Sequence, residues 1–242
     1  MNFHESSFSL WLLVSAFFVA RYFLLAGIPY LVFYVYRGKE VRSKKIQKKA
    51  PSTAKISKEI FYSLVTLLIY GAGIWLFIGW LEAGNTLHYE NVSDYGIPYF
   101  IVSLALMVVI HDTYFYWTHR LIHHRFLFKY IHRVHHQFTN PTPWSAFSFH
   151  PLEAVLSMGV VPIIIFCIPW HQIALIAFIT FMTLYDVYIH LGYDLKQLRL
   201  GQWQNTAADH NHHHQNARVN FGLYFRLWDQ LMGTYKKLPK TV

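Results

Sequence analysis

The chain has 242 residues, of which 54% are hydrophobic, 19% aromatic and only 14% charged, a balance that suits one membrane-embedded domain better than a soluble one. The formal net charge of +9 would suit a nucleic-acid binder, but nine Lys and Arg side chains crowd into the single stretch 37–58 between two apolar runs. Charge placed in that way marks the cytoplasmic face of a membrane protein and argues against a nucleic-acid partner.

At the amino terminus, MNFHESSFSLWLL has no basic segment ahead of its apolar run and no small-residue cleavage site, so it reads as a retained span and not as a signal peptide. A span needs about 20 mainly apolar residues. The stretches 8–36, 60–81, 97–117, 152–169 and 173–191 meet or approach that length, and the first is long enough to tilt or to kink at Pro29. The basic loop 37–59 follows the first span. Between the second and third lies 82–96 (EAGNTLHYENVSDYG), acidic and free of Lys and Arg, which reads as the outer face. Pro169, Trp170 and His171 leave room only for a tight hairpin between the last two spans. Cys167 is the only cysteine, so there is no disulfide framework and no thiolate metal site, and it is expected to be a small buried hydrophobe.

Three histidine clusters lie at the ends of these apolar runs: His119 with His123, then His132, His135 and His136, then His210, His213 and His214. Residues three or four apart share a helix face, and neutral imidazole is a common ligand for iron, zinc and copper. A lone His pair would be weak, and a solvated or tag-like tract at His212, His213 and His214 is the bland alternative. Eight histidines in three matched clusters favour a shared metal pocket. With the basic loop inside, successive spans return all three clusters and His190 to the cytoplasmic side, as a shared site requires.

Eight or more imidazoles exceed what one tetrahedral zinc needs, so two ions are the economical reading. A nitrogen-rich, oxygen-tolerant site beside lipid suits iron that activates dioxygen, with zinc expected where purified protein is mismetallated. Asp112, His150, Glu153 and Asp186 are candidate hydrogen-bonding partners behind the ligands, and Asp209 is a further carboxylate nearby. His111 and His124 are expected to hydrogen-bond, His212 to point away from His210, and His4, His88 and His171 to lie on the opposite face. Tyr114, Phe115, Tyr116 and Trp117 read either as tunnel lining or as an interfacial aromatic belt, and Arg120 as a juxtamembrane cation.

The segments HDTYFYWTHRLIHH, HRVHH, NPTPWSAFSFHPLEA, HNHHHQNARVNFG and WDQLMGT together resemble the fatty acid hydroxylase and sterol desaturase superfamily, most closely its sterol C-5 desaturase branch, over about half the chain. The resemblance implies a membrane diiron oxidoreductase that uses O2 and two electrons to desaturate or hydroxylate a sterol-like or fatty-acyl lipid. It implies as metal ligands His119, His123, His132, His135, His136, His210, His213 and His214, and adds His190. Some hydroxylases of this superfamily carry a histidine four residues before the position of His190; this chain has Asp186 there, so either the carboxylate replaces that ligand or the coordination number drops.

No dinucleotide fingerprint, haem-attachment motif or iron–sulfur cysteine set is present, so electrons are expected from a cytochrome b5-like protein, or a ferredoxin with its reductase, docking on the basic face. The expected fold is an all-α integral membrane protein, one domain over 1–242, with four to five transmembrane or membrane-embedded helices and a cytoplasmic helical cap at 192–242 carrying the dimetal site, in a plasma, inner or ER membrane. A membrane zinc hydrolase would need one ion and a positioned Glu, and no His-Glu-x-x-His occurs. A metal transporter would set its ligands near mid-bilayer inside the spans, whereas these clusters lie at span ends.

Overall fold

The computed structural model describes residues 3–37 and 39–237; residues 238–242 of the expected cap and the side chain of His4 lie outside what is described. Among the described residues there is no β-strand, only three isolated bridges. The chain forms α1 (Phe3–Tyr30), α2 (Thr53–Glu82), α3 (Gly96–Ile122), the short α4 (Phe128–Ile131) and α5 (Arg133–His136), α6 (Pro151–Met158), α7 (Val160–Cys167), α8 (Gln172–Ile189), α9 (Ala207–Gln215) and α10 (Leu227–Leu231).

Among the described residues four helices are long and apolar enough to cross a membrane: α1 with its continuation to Tyr36, α2, α3 and α8. Large apolar side chains on them, Leu13, Phe17, Leu24, Phe61, Ile101 and Ile176 among them, face outward, where lipid and not water is the compatible solvent. Each helix outlasts its apolar run. α2 begins seven residues before Ile60 because Ser52 caps it, its side chain accepting from the backbone N–H of Lys55, and α3 continues past Trp117 through the first histidine pair. Pro29, which lacks an N–H to donate back along the helix, precedes a π-helical stretch at Leu31–Tyr36.

The expected span 152–169 is instead two eight-residue helices that meet at Gly159. The Tyr114 hydroxyl donates to the Leu156 carbonyl at 2.6 Å, and a Cβ on residue 159 would run into that hydroxyl oxygen. The close approach selects glycine there, and the pair α6–α7 is too short to count with the four long helices. Cys167 corrects another expectation: it is exposed, because it sits on the outward face of α7 while Ile164 and Ile165 turn inward.

Two apolar clusters hold the helices together. Tyr22, Ala26, Leu67, Trp144, Phe147 and Phe149 pack α1 and α2 onto the Pro143–Phe147 turn, and Met107, Val160, Ile164, Ile165, Ala174 and Phe178 join α3, α7 and α8. The turn is fixed to α2 by polar contacts that the sequence did not single out: Thr142 donates to the fully buried Glu59, and Ser63 donates to the Trp144 carbonyl at 2.9 Å.

The two ends of the bundle differ in the sense that span parity requires. At one end the basic segment packs against the histidine-bearing chain, with the Ile46 N–H donating to Gly192 O at 3.0 Å and the Gln47 amide to Asn211 Oδ1 at 3.0 Å. Gly192 makes this possible at φ +75°, where a side chain would meet the Tyr34 hydroxyl at 2.5 Å. At the other end 82–96 meets the α7–α8 hairpin: the Tyr89 N–H donates to Trp170 O at 3.0 Å, and His171 bonds the Glu90 carbonyl. His88 lies there too, its ring 4.7 Å from that of Trp170. His88→Ala is therefore expected to cost under about 1 kcal/mol of stability and to leave metal content unchanged; metal analysis and a thermal melt check this, and a lost ion would contradict the topology.

Candidate metal centre

All nine expected ligand residues come together in two adjoining groups. His119, His123, His132, His136 and His213 form one, and His135, His190, His210 and His214 the other, with the ligand atoms of each group within 4.8 Å of one another. The partition is compatible with helical spacing, and tertiary packing decides it. In the two clusters of the form His-x-x-His-His, the pair four apart (His132 with His136, His210 with His214) enters one group, and the residue between them enters the other. His135 and His213 thereby cross over, so that the second and third clusters each tie both groups together.

Each element is positioned by ordinary local forces. His119 and His123 occupy the last turn and C-cap of α3. His190 is the C-cap of α8. α9, which carries three of the nine, starts with a capping box in which Thr206 accepts from the Asp209 N–H and the Asp209 carboxylate accepts from the Thr206 N–H at 3.0 Å. Arg226 clamps the same carboxylate, Nη2 to Oδ2 at 2.5 Å, with side-chain exposures of only 12% and 5%. Arg226→Ala would leave that carboxylate buried and unpaired, so a loss of about 3–5 kcal/mol is expected, read as a lower unfolding midpoint; an unchanged midpoint would show that α9 is held by other contacts.

The nitrogen geometry suits cations. His119 Nε2 lies 3.0 Å from His132 Nε2 and 3.2 Å from His123 Nε2, and His136 Nε2 lies 3.0 Å from His213 Nε2. In the second group His190 Nε2 is 3.0 Å from His210 Nε2 and 3.3 Å from His135 Nε2, and His210 and His214 are 3.2 Å apart. Four rings have their other nitrogen on an acceptor. His119 Nδ1 meets the Phe221 carbonyl at 2.9 Å, His213 Nδ1 the Val219 carbonyl at 2.7 Å, His132 Nδ1 Glu153 Oε1 at 2.6 Å, and His190 Nδ1 the Asp186 carbonyl at 2.8 Å. Each of these Nδ1 atoms must carry the proton, leaving Nε2 a bare lone pair. Lone pairs about 3 Å apart repel unless a cation lies between them, and a metal bonded to nitrogen at about 2.0–2.1 Å sets its ligands at that spacing.

Burial acts in the same direction. It pushes His136 down to about 3, and it holds His132, His135, His210, His213 and His214 well below the usual imidazole range, aided by repulsion from neighbouring rings. Neutral rings are the form that binds metal.

One carboxylate stands behind each group. Glu153 supports His132 in the first, and Asp186 Oδ1, 3.2 Å from His190 Nδ1, supports His190 in the second. Asp186 is thus a partner of a ligand position and no member of either group. Asp112 and His150 have other contacts: Asp112 Oδ1 accepts from the N–H groups of Tyr224 and Phe225, and His150 caps α6 through the Leu152 N–H. His111 bonds the Tyr224 hydroxyl at 2.9 Å, and His212 meets the Lys236 carbonyl, away from the two histidine groups as its helical phase dictates. The aromatic run on α3 divides by phase: Phe115 faces the site, Tyr116 is buried, and Trp117 is exposed.

Residues that sequence reasoning missed hold the loop that supplies the two carbonyls. Asp229 accepts from the Phe221 and Gly222 N–H groups at 2.9 and 2.8 Å, and Asn220, at φ +57°, bonds the carbonyls of Asp209 and Lys236. WDQLMGT contains Asp229, but a backbone carbonyl leaves no mark in a sequence.

A narrow apolar cavity lies between α1, α2, α3, α6 to α8 and the Phe147–Phe149 segment, beside this centre. His111, Phe115, Phe149, Ser157 and Asp186 line both that cavity and the smaller one that reaches His119, His132, His135, His190 and His210.

Residues 104–234, just over half of the chain, match the model of the fatty acid hydroxylase family. Among curated proteins, a Delta(7)-sterol 5(6)-desaturase of Schizosaccharomyces pombe is 31% identical over 75% of this chain and 61% of its own length. Lathosterol oxidase of Rattus norvegicus is 29% identical over 89% of this chain and 70% of its own. Methylsterol monooxygenase 1 of Danio rerio is 39% identical over 59% of this chain and half of its own. The chain therefore spans less than two thirds of the first of these relatives. No solved structure matches it.

Proposed function

Since the chain belongs to the fatty acid hydroxylase family, we propose that it is a membrane-bound, O2-dependent diiron oxidoreductase that desaturates or hydroxylates a sterol-like or fatty-acyl lipid. The observation that carries this reading is an apolar cavity that shares wall residues with a smaller one reaching five of the nine histidines of the double cage. Two iron ions held by those histidines would supply what no side chain can, activation of dioxygen and removal of hydrogen from an unactivated carbon.

The chain's own residues do the rest. Glu153, Asp186 and the carbonyls of Phe221 and Val219 hold the rings in one tautomer and one orientation, and the two carboxylates offset the charge of a cationic centre. Phe115 and Phe149, at the junction of the two cavities, keep water from the reacting carbon and set its approach. Whether a second hydrogen leaves or oxygen is inserted then depends on how that carbon is held.

Electrons come from a separate carrier, a cytochrome b5-like protein or a ferredoxin. A polar cleft beside α9, lined by Lys44, Lys45, Lys196 and Lys237 and by the ion pairs Arg199–Asp194 and Arg226–Asp209, is the face whose net positive charge suits an acidic one. The charge of the basic loop supports a cytoplasmic location for that face and the metal centre. Mass spectrometry of lipid extracts from cells with and without the protein tests the activity. A protein-dependent lipid lacking two hydrogens, or carrying one more oxygen, is expected and should vanish without O2; unchanged lipids, or turnover that persists without O2, would contradict the reading.

A further inference from the structure

Arg21 is the only charged residue between Phe8 and Tyr36, and it sits near the middle of that span. An ion at such a depth is costly, and it persists where it pairs or serves a ligand. Its side chain turns inward, into the lining of the apolar cavity. Nη2 donates to the Ile179 carbonyl at 2.8 Å and to Thr183 Oγ1 at 2.7 Å, both on α8. Among the described residues no carboxylate lies within ion-pair distance of it, and its Nε and Nη1 donors have no acceptor. Among the described residues the guanidinium is thus oriented by two neutral groups with no counter-charge beside it.

Its position along the cavity carries the argument further. Phe18 and Arg21 on α1 lie across the cavity wall from Ile179 and Met182 on α8, all four half-buried, with His111, Phe178 and Thr183 buried on the same lining. Arg21 therefore stands on a partly exposed wall of the cavity, between α1 and α8. On α8 the residues Ile179, Thr183, Asp186 and His190 follow one another at helical spacing down one face, from the guanidinium to the metal group. Seven residues separate Thr183 from His190, a rise of about 10 Å.

Resting on the proposed lipid oxidation, we propose that Arg21 is the anchor for an acidic end group on the substrate, which selects lipids that carry a carboxylate or similar oxyanion about 10 Å from the carbon presented to the metal centre. A neutral hydroxyl would answer only one of the free N–H donors and none of the charge. Thr183 and the Ile179 carbonyl act as positioning groups that hold the guanidinium at the cavity wall.

The test is equilibrium binding of a labelled long-chain fatty acid and of the primary alcohol with the same chain to the purified, metal-loaded protein, at an alkaline pH where the acid is ionised. The wild type is expected to prefer the acid by on the order of tenfold, as a charge-assisted contact in a poorly hydrated site requires. Arg21→Met should bring the two ligands to near parity by weakening the acid alone, with metal content unchanged, and Arg21→Lys should keep part of the preference. Equal binding of acid and alcohol by the wild type, or an acid preference retained in Arg21→Met, would overturn the proposal. If Arg21→Met does not fold, the wild-type comparison and Arg21→Lys still decide it. Because the readout is binding, an acid preference without any O2-dependent turnover would sink the enzymatic reading and leave the anchor standing.

Discussion

His213→Ala and His135→Ala are each expected to reduce metal content from two ions per chain to about one, and to lower turnover by more than the 10- to 100-fold that follows from losing a mere supporting partner. The two substitutions act on different ions. His213 belongs to the five-histidine group and leaves four rings behind, whereas His135 belongs to the four-histidine group and leaves three. Neither residue lies in one of the four long apolar helices, so membrane insertion should be untouched. Full activity with two ions bound in either variant would remove that residue from the ligand set.

Glu153→Ala should weaken metal binding by about 10- to 100-fold, through His132 alone. Its Oε1 takes the Nδ1 proton of His132 at 2.6 Å, and both side chains are nearly inaccessible to solvent. Without the acceptor the ring can rotate or shift its proton to Nε2, the atom that should face the ion. The loss should fall on the five-histidine group, with the four-histidine group spared, because the latter has its own carboxylate in Asp186. Glu153→Gln, which keeps an accepting oxygen but no charge, should lie between. Metal titration of the two variants reads this; equal loss from both groups would mean that Glu153 maintains the fold and not one ring.

Much of this centre was legible in the sequence because helical spacing and ligand spacing coincide. His119 with His123 and the two His-x-x-His-His clusters specify shared faces on any helix, and span parity decides that the faces meet at one end. What spacing could not give is the division of labour within a cluster, with His135 and His213 crossing to the other group, since that depends on how α5 and α9 face each other. Glu153 and Asp186 were visible only as candidates among four carboxylate and histidine positions. Their roles turn on which ring each one reaches, a matter of tertiary packing.

The fold was legible to a similar degree. Long apolar runs identify α1, α2, α3 and α8, but the run at 152–169 hides a break at Gly159 whose cause, the Tyr114 hydroxyl, lies on another helix. Cys167 points outward for a reason of the same kind: in a membrane the outside of a helix bundle is also apolar, so hydrophobic character no longer says which way a side chain faces. Arg21 stood in plain view as a lone charge, yet only its contacts with α8 reveal that it looks into the cavity and not toward lipid.

The most direct test of the central claim is the metal content of the purified, detergent-solubilised protein from iron-replete cells, measured per chain alongside His213→Ala and His135→Ala. Two adjoining nitrogen cages require close to two irons in the wild type and about one in each variant, with O2-dependent turnover only when both are filled. A single zinc per chain with oxygen-independent turnover, or metal content indifferent to both substitutions, would contradict the account.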